Sequence, residues 1–203
     1  MTNFSAMNPE SQPSATPITA IADQYGMAMA IVIQACRVHF GTASIHDLNQ
    51  LLSTSPEVLS RATLLSRLHR IRPVVYRVLL EANIPASAKE QLKNELHAIT
   101  LHNFAIAQET QRIVNRLQAH DIAVIPYKGV AFSSEFYGDI SMRESSDIDL
   151  AINPTSLLAI KPLLEEDGYV VAAGMEEPTK VSANYFTENK DLCFDKTTIT
   201  EPF

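Results

Sequence analysis

Through the first 120 residues, apolar side chains recur three and four positions apart; beyond that they gather into short runs. Ile21, Tyr25, Ala28, Val32 and Ala35 predict one helix from Ile18 to about Arg37, closed by His39-Phe40-Gly41. Ile45 to Leu52 predicts a short second helix with Ser44 as its N-cap. Ser55-Pro56-Glu57 opens a third, carrying Val58, Leu59, Ala62, Leu65 and Leu68. Arg72-Pro73 restarts the chain as a fourth, through Val74, Val75, Val78 and Leu79 to about Asn83. Leu92, Leu96, Ile99, Ile106, Ile113 and Leu117 then share one stripe, and neither Gly nor Pro occurs from Ala86 to His120. That predicts an amphipathic helix of eight or nine turns. A stripe this long also suits a coiled-coil seam. Polar Asn103 and Thr110 within it favour packing inside the same chain.

The texture changes at Asp121. Ile122 to Ile125 reads as a buried strand, Tyr127 to Phe136 as a helix, and Ile148 to Ile152 as the next strand. Asn153-Pro154-Thr155 ends that strand and caps a helix from Ser156 to Glu166, with Asp167-Gly168 as its C-terminal turn. Tyr169 to Ala172 is a third strand. Strand, helix, strand, helix, strand is an α/β layer. Tyr185-Phe186 and Leu192-Cys193-Phe194 suggest a hairpin. The organisation expected is a Ser/Thr/Asn/Pro-rich disordered leader at 1–17, a helical region at 18–120 and an α/β core at 121–203. Ending on an apolar Phe203, that core looks incomplete at its C-terminal end.

Charge and cysteine content narrow the chemistry. The formal charge is -7 and no basic run occurs, which argues against binding bulk nucleic acid, where clustered Lys and Arg are needed. Cys36 and Cys193 lie in no CxxC or Cys/His grouping, so zinc is not supported and both read as thiols in a reducing, cytoplasmic setting. Ala28 to Ile33 is apolar but too short to span a bilayer. The six histidines all precede the α/β part, and none has HExxH spacing.

The sharpest feature is Asp147-Ile148-Asp149. Residues two apart on a strand point the same way, so both carboxylates leave one face while Ile148, Leu150 and Ile152 take the other. Paired carboxylates repel, and one holds its proton more tightly unless a cation sits between them. A hard divalent metal, which prefers carboxylate oxygens, is the economical reason for the pair. Short acidic pairs are also common in solvated turns, but placement at the head of an apolar strand favours the metal. Lys128-Gly129 lies at a strand-to-helix junction, where glycine lets backbone approach a phosphate and the helix N-terminus supplies donors. Taken alone, it is a tight turn with a surface lysine. Arg143, four residues before Asp147, either clamps a phosphate or neutralises the acids. Ser145 and Ser146 either bond phosphate or cap the strand.

Together, Tyr127-Lys128-Gly129, Phe136-Tyr137-Gly138-Asp139, Arg143 and Ser146-Asp147-Ile148-Asp149-Leu150 resemble the signature of a bacterial nucleotidyltransferase family of the polymerase-β-like superfamily. His69-Arg70-Ile71-Arg72-Pro73-Val74-Val75-Tyr76 and the long helix before the first strand resemble its N-terminal part, and the likeness runs from about residue 45 to 172. It implies an α+β fold in which a helical region precedes a mixed sheet flanked by helices. It implies Mg²⁺ held by Asp147 and Asp149, a nucleoside triphosphate as substrate, and in-line attack on the α-phosphate by an acceptor hydroxyl. Lys128, Gly129, Arg143 and Ser146 would meet phosphate, and the acceptor would be a small molecule or a protein. Val130 follows Gly129 where the superfamily carries Gly-Ser or Gly-Gly. A third carboxylate is expected from a later strand, and Asp191, Asp195 or no residue of this chain supplies it. In the last case the fold serves as a weak or inactive nucleotide-binding module. A phosphatase or glycosyltransferase using the same acid pair is disfavoured, since in phosphatases the acids end an apolar strand instead of starting one.

Overall fold

The computed structural model describes residues 16–54, 56–173 and 191–196. It contains two compact units, Met1–Ile99 and Thr100–Phe203, and the division falls inside one long helix.

The first unit is helical. Its elements are α1 (Ile18–Tyr25), α2 (Met27–His39), α3 (Ile45–Thr54), α4 (Leu59–Leu68), α5 (Arg72–Glu81) and the first part of α6 (Ala86–Gln118). The single helix expected from Ile18 to Arg37 is two. Gly26 breaks it with φ 86° and ψ 159°, a backbone state that glycine reaches without a Cβ clash. α3 begins as expected at Ser44. The Ser44 hydroxyl accepts from Asp47 N–H at 3.2 Å and donates to the Asp47 carboxylate at 2.8 Å, which also accepts from Ser44 N–H at 3.3 Å. These bonds lower the Asp47 pKa. A short 3₁₀ turn at Pro56–Val58 leads into α4, and Pro73 stands in the first turn of α5. The core here gathers Ile31, Val32, Leu48, Val75, Tyr76, Leu79 and Leu92. Tyr76 is fully buried, and its hydroxyl donates to Glu95 at 3.1 Å. Burial first, then the Glu95 charge, pushes its pKa up to about 12.

The second unit holds the rest of α6, then β1 (Val124–Tyr127), α7 (Gly129–Tyr137), β2 (Asp149–Ile152), α8 (Leu157–Glu166), β3 (Tyr169–Val171) and β4 (Phe194–Lys196). β1 starts two residues later than its apolar run suggested. β1 pairs antiparallel with β2, matching Val124 to Ile152 and Tyr127 to Asp149. β3 pairs antiparallel with β4, matching Val171 to Phe194. The mixture of helices and strands stands, but among the described residues the strands form two antiparallel pairs instead of one mixed sheet. The reason lies in the connection. α7 stops at Gly138, a left-handed C-cap with φ 67°, and the chain then returns along β1 through an irregular loop. Phe194 thus pairs with β3; Tyr185-Phe186, the other half of the expected hairpin, lies outside the described residues. The leader at 1–17 is described only at residues 16 and 17, and 197–203 lie outside as well.

Ile113, Val114 and Leu117 of α6 pack with Ile122, Val124, Ile160 and Leu164, and half-buried Ile148, Leu150 and Ile152 close this core. The apolar alternation of β2 therefore commits one face to the core. No described helix is long and apolar enough to cross a membrane.

Candidate active site

β1 delivers Tyr127 opposite Asp149, and the chain then turns at Lys128-Gly129 into α7. That turn is strained. Lys128 has φ 59° and ψ -160°, a region populated almost only by glycine, which costs about 1–3 kcal/mol. Gly129 has φ 44°, and a Cβ there would stand 3.4 Å from the Asp147 carbonyl oxygen and 3.6 Å from Ser145 Oγ. Glycine is favoured here by its backbone angle, while a Cβ would meet the loop that carries the acids only at van der Waals contact.

Asp149 opens β2, whereas Asp147 sits at a bend just before it and is exposed. The pair therefore straddles the strand start instead of lying wholly within it. Lys128 Nζ donates to Asp149 Oδ1 at 3.3 Å and lies 4.8 Å from the centre of the Tyr127 ring. Asp149 raises the lysine's pKa. Ser146 Oγ donates to Asp147 Oδ1 at 3.3 Å. Thr110 of α6, residues 126–131 and residues 147–149 line one shallow, solvent-open cleft of about 10 Å³. A space of that size admits about one ion or water beside the acids and not a whole nucleotide.

Three residues expected near the acids stand elsewhere or bond differently. The Arg143 guanidinium lies 5.7 Å from the centre of the Phe132 ring, and among the described residues it forms no ion pair with Asp147 or Asp149. A cation–π contact with Phe132 is its described partner. Asp191 and Asp195 are exposed, Asp195 facing Val170 across the β3–β4 pair. No three His, Cys, Asp or Glu side chains among the described residues gather closely enough to hold a metal. The donor set present is thus two carboxylates with a lysine ammonium on one of them. It fits a divalent cation in kind, since the position on Asp149 already draws a positive charge.

Sequence reasoning missed how the acid loop is held. Asn103, fully buried on α6, donates through Nδ2 to the carbonyls of Ile140 and Arg143, both at 2.7 Å, and accepts from Ser145 N–H at 3.3 Å. A polar residue inside an apolar helical stripe was the visible signal. Asp139 ties the same loop from within, accepting from Ser141 N–H at 2.8 Å and Ser141 Oγ at 2.7 Å. Among the described residues, Ser145 Oγ is buried with no hydrogen-bond partner. Nothing local marked Phe132 as the support for Arg143.

A family model described as "Uncharacterised nucleotidyltransferase" matches residues 56–198, well over half the chain. The chain belongs to that family. Nucleotidyl transfer is therefore the general kind of activity, and a nucleoside triphosphate is the implied substrate. The match takes in both candidate acids, the Lys128-Gly129 turn and Asn103. No curated protein and no solved structure matches the chain.

Proposed function

We propose that this nucleotidyltransferase family member moves a nucleotidyl group from a nucleoside triphosphate to a hydroxyl of a small molecule or protein, with Mg²⁺ held by Asp147 and Asp149. The observation that carries the reading is the convergence of Asp147, Asp149 and the strained Lys128-Gly129 turn on one cleft. Strain of this kind persists where a ligand site needs it. The net charge of -7 and the absence of a basic run argue for a small or protein acceptor over a polynucleotide.

In this reading each residue has a defined task. Asp147 and Asp149 hold the metal, which when bound neutralises phosphate charge and polarises the acceptor hydroxyl. The N–H groups opening α7, including that of Gly129, face phosphate oxygens as at other helix N-termini. Lys128 leaves Asp149 and supplies its charge to the phosphates. Ser146, beside Asp147, donates to a phosphate oxygen, and Arg143 adds a bidentate contact from its seat on Phe132. The acceptor oxygen forms a bond to the α-phosphorus. The bond to the bridging oxygen breaks, its electron pair leaves with pyrophosphate, and the hydroxyl proton passes to a carboxylate of the site or to water.

A second reading rests on one observation: among the described residues no third carboxylate joins the pair. The chain would then bind a nucleotide with little or no turnover. Pyrophosphate release separates the two readings, and binding tests both. Nucleotide affinity is measured with and without Mg²⁺ on wild type and on Asp147→Asn/Asp149→Asn. Mg²⁺-dependent binding that the double change abolishes is expected. Metal-dependent binding that survives it would sink the site assignment.

A further inference from the structure

We infer that Asn103 is a positioning residue for this site, acting through the backbone of the loop that carries Arg143 and Asp147. The inference rests on the proposed site and goes beyond it, since Asn103 stands on another element and lines no part of the cleft. Its side chain uses both Nδ2 protons and one Oδ1 lone pair on that loop. The carbonyls of Ile140 and Arg143 accept at 2.7 Å each, and Ser145 N–H donates at 3.3 Å. Partners of this kind fix the amide's orientation: two carbonyls need the NH₂, and one N–H needs the oxygen. The residue is fully buried, so water does not replace a lost bond cheaply.

These three contacts bracket the functional part of the loop. One ends on the carbonyl of Arg143 itself, and the third on the N–H of Ser145, two residues before Asp147. Ser145 in turn stands against Gly129, as does the Asp147 carbonyl. Asn103 therefore sets the distance between the acid loop and the Lys128-Gly129 turn, the dimension a metal–phosphate pair has to fit. Among the described residues β2 gains ladder bonds only from Asp149 onward, so β-pairing alone leaves the approach to Asp147 unspecified. Asn103 supplies that specification from α6.

Asn103→Asp is the sharpest change. It keeps shape and the acceptor oxygen, but it turns both donors into a carboxylate oxygen facing two carbonyls. Outer-shell partners of metal sites are worth ~10–100-fold in affinity or activity, and a loss of that order in Mg²⁺-dependent ATP or GTP binding is expected. Asn103→Ser, which retains one donor in a smaller side chain, should fall between it and wild type and covers the case in which the aspartate does not fold. Leu117→Ala, on the same helix and in the apolar core of the same unit, controls for stability. It should lower the melting temperature and leave nucleotide affinity within about twofold. Amide hydrogen exchange over residues 139–148 should quicken in Asn103→Asp and Asn103→Ser and not in Leu117→Ala. Asn103 variants that bind nucleotide as wild type does, or that track Leu117→Ala in both readouts, overturn the inference. If wild type itself shows no metal-dependent binding while exchange over the loop still responds to Asn103, the site reading fails and the clamp is structural only.

Discussion

Two acidic groupings in the same unit show opposite electrostatic design. Around Glu109 every carboxylate is met. Glu109 accepts from Arg112 Nε at 2.8 Å, from Tyr169 Oη at 2.6 Å and from Lys196 Nζ at 2.5 Å. Asp167 accepts from Arg112 at 2.7 Å and Arg116 at 2.6 Å. Arg112 first, then Lys196 and Tyr169, hold the Glu109 carboxyl far below the usual carboxylate range despite its partial burial. Around Asp147 and Asp149 the described partners are one lysine and one hydroxyl, both at 3.3 Å. The first grouping is neutralised by the protein itself and ties α6, α8, β3 and β4 together. The second leaves acceptor oxygens open in a cleft beside a strained turn. Carboxylates that fold a protein are saturated from within, and carboxylates that take a ligand are left short of positive charge.

That contrast can be broken from either side. The largest effect belongs to Asp147→Asn/Asp149→Asn. Mg²⁺-dependent nucleotide binding should fall by more than the ~10–100-fold typical of outer-shell changes. The melting temperature should hold or rise, because two repelling charges are removed; calorimetry beside titration checks both halves. Glu109→Ala should do the reverse. Losing charge-assisted hydrogen bonds costs about 1–3 kcal/mol, read as a lower urea midpoint, with nucleotide affinity unchanged. Equal loss of binding in both variants would erase the distinction between the groupings. Gly129→Ala should cost about 1–2 kcal/mol from its positive φ, and should weaken nucleotide binding as well, as the turn relaxes away from that angle beside the acids. Lys128→Met should tighten Mn²⁺ binding to the nucleotide-free protein a few-fold while weakening nucleotide binding; a change of the same sign in both would remove Lys128 from the site. The smallest effect is in pH. A carboxyl with a depressed folded pKa stabilises above its unfolded value, near ~4.3, and loses that contribution as pH falls toward its folded value. Melting temperature should therefore decline below about pH 4.3, and Glu109→Gln should flatten the decline.

How much of this was legible beforehand follows from the range of the forces involved. α6 was readable because Leu92, Ile99, Ile113 and Leu117 repeat a helical period and no Gly or Pro interrupts them. The Ser44 cap was readable because its partner, Asp47, is three residues away. Gly26 was not, since a glycine inside an apolar period shows no sign of the φ it will take. For the site, Asp147, Asp149, Lys128 and Gly129 announced themselves through residue type and spacing, and the cleft gathers them. The spacing of Arg143 did not tell which partner it takes. Four residues from Asp147 in sequence, it lies over the ring of Phe132, which is eleven residues before it.

By itself the sequence determined the helices apart from the break at Gly26, the acid pair at the head of an apolar strand, the glycine turn and membership of a nucleotidyltransferase family. Periodicity, capping and residue chemistry act over a few positions, and all of these are properties of a few positions. Only the tertiary structure decided that β1 and β2 run antiparallel, which acids are saturated and which stay open, and that Asn103 clamps the acid loop. The Asn103 contacts join residues 37 to 42 apart in the chain, and the Lys196–Glu109 bond joins residues 87 apart. Such pairings are set by how the core of Ile113, Leu117 and Ile160 brings the elements together, and no local pattern encodes them.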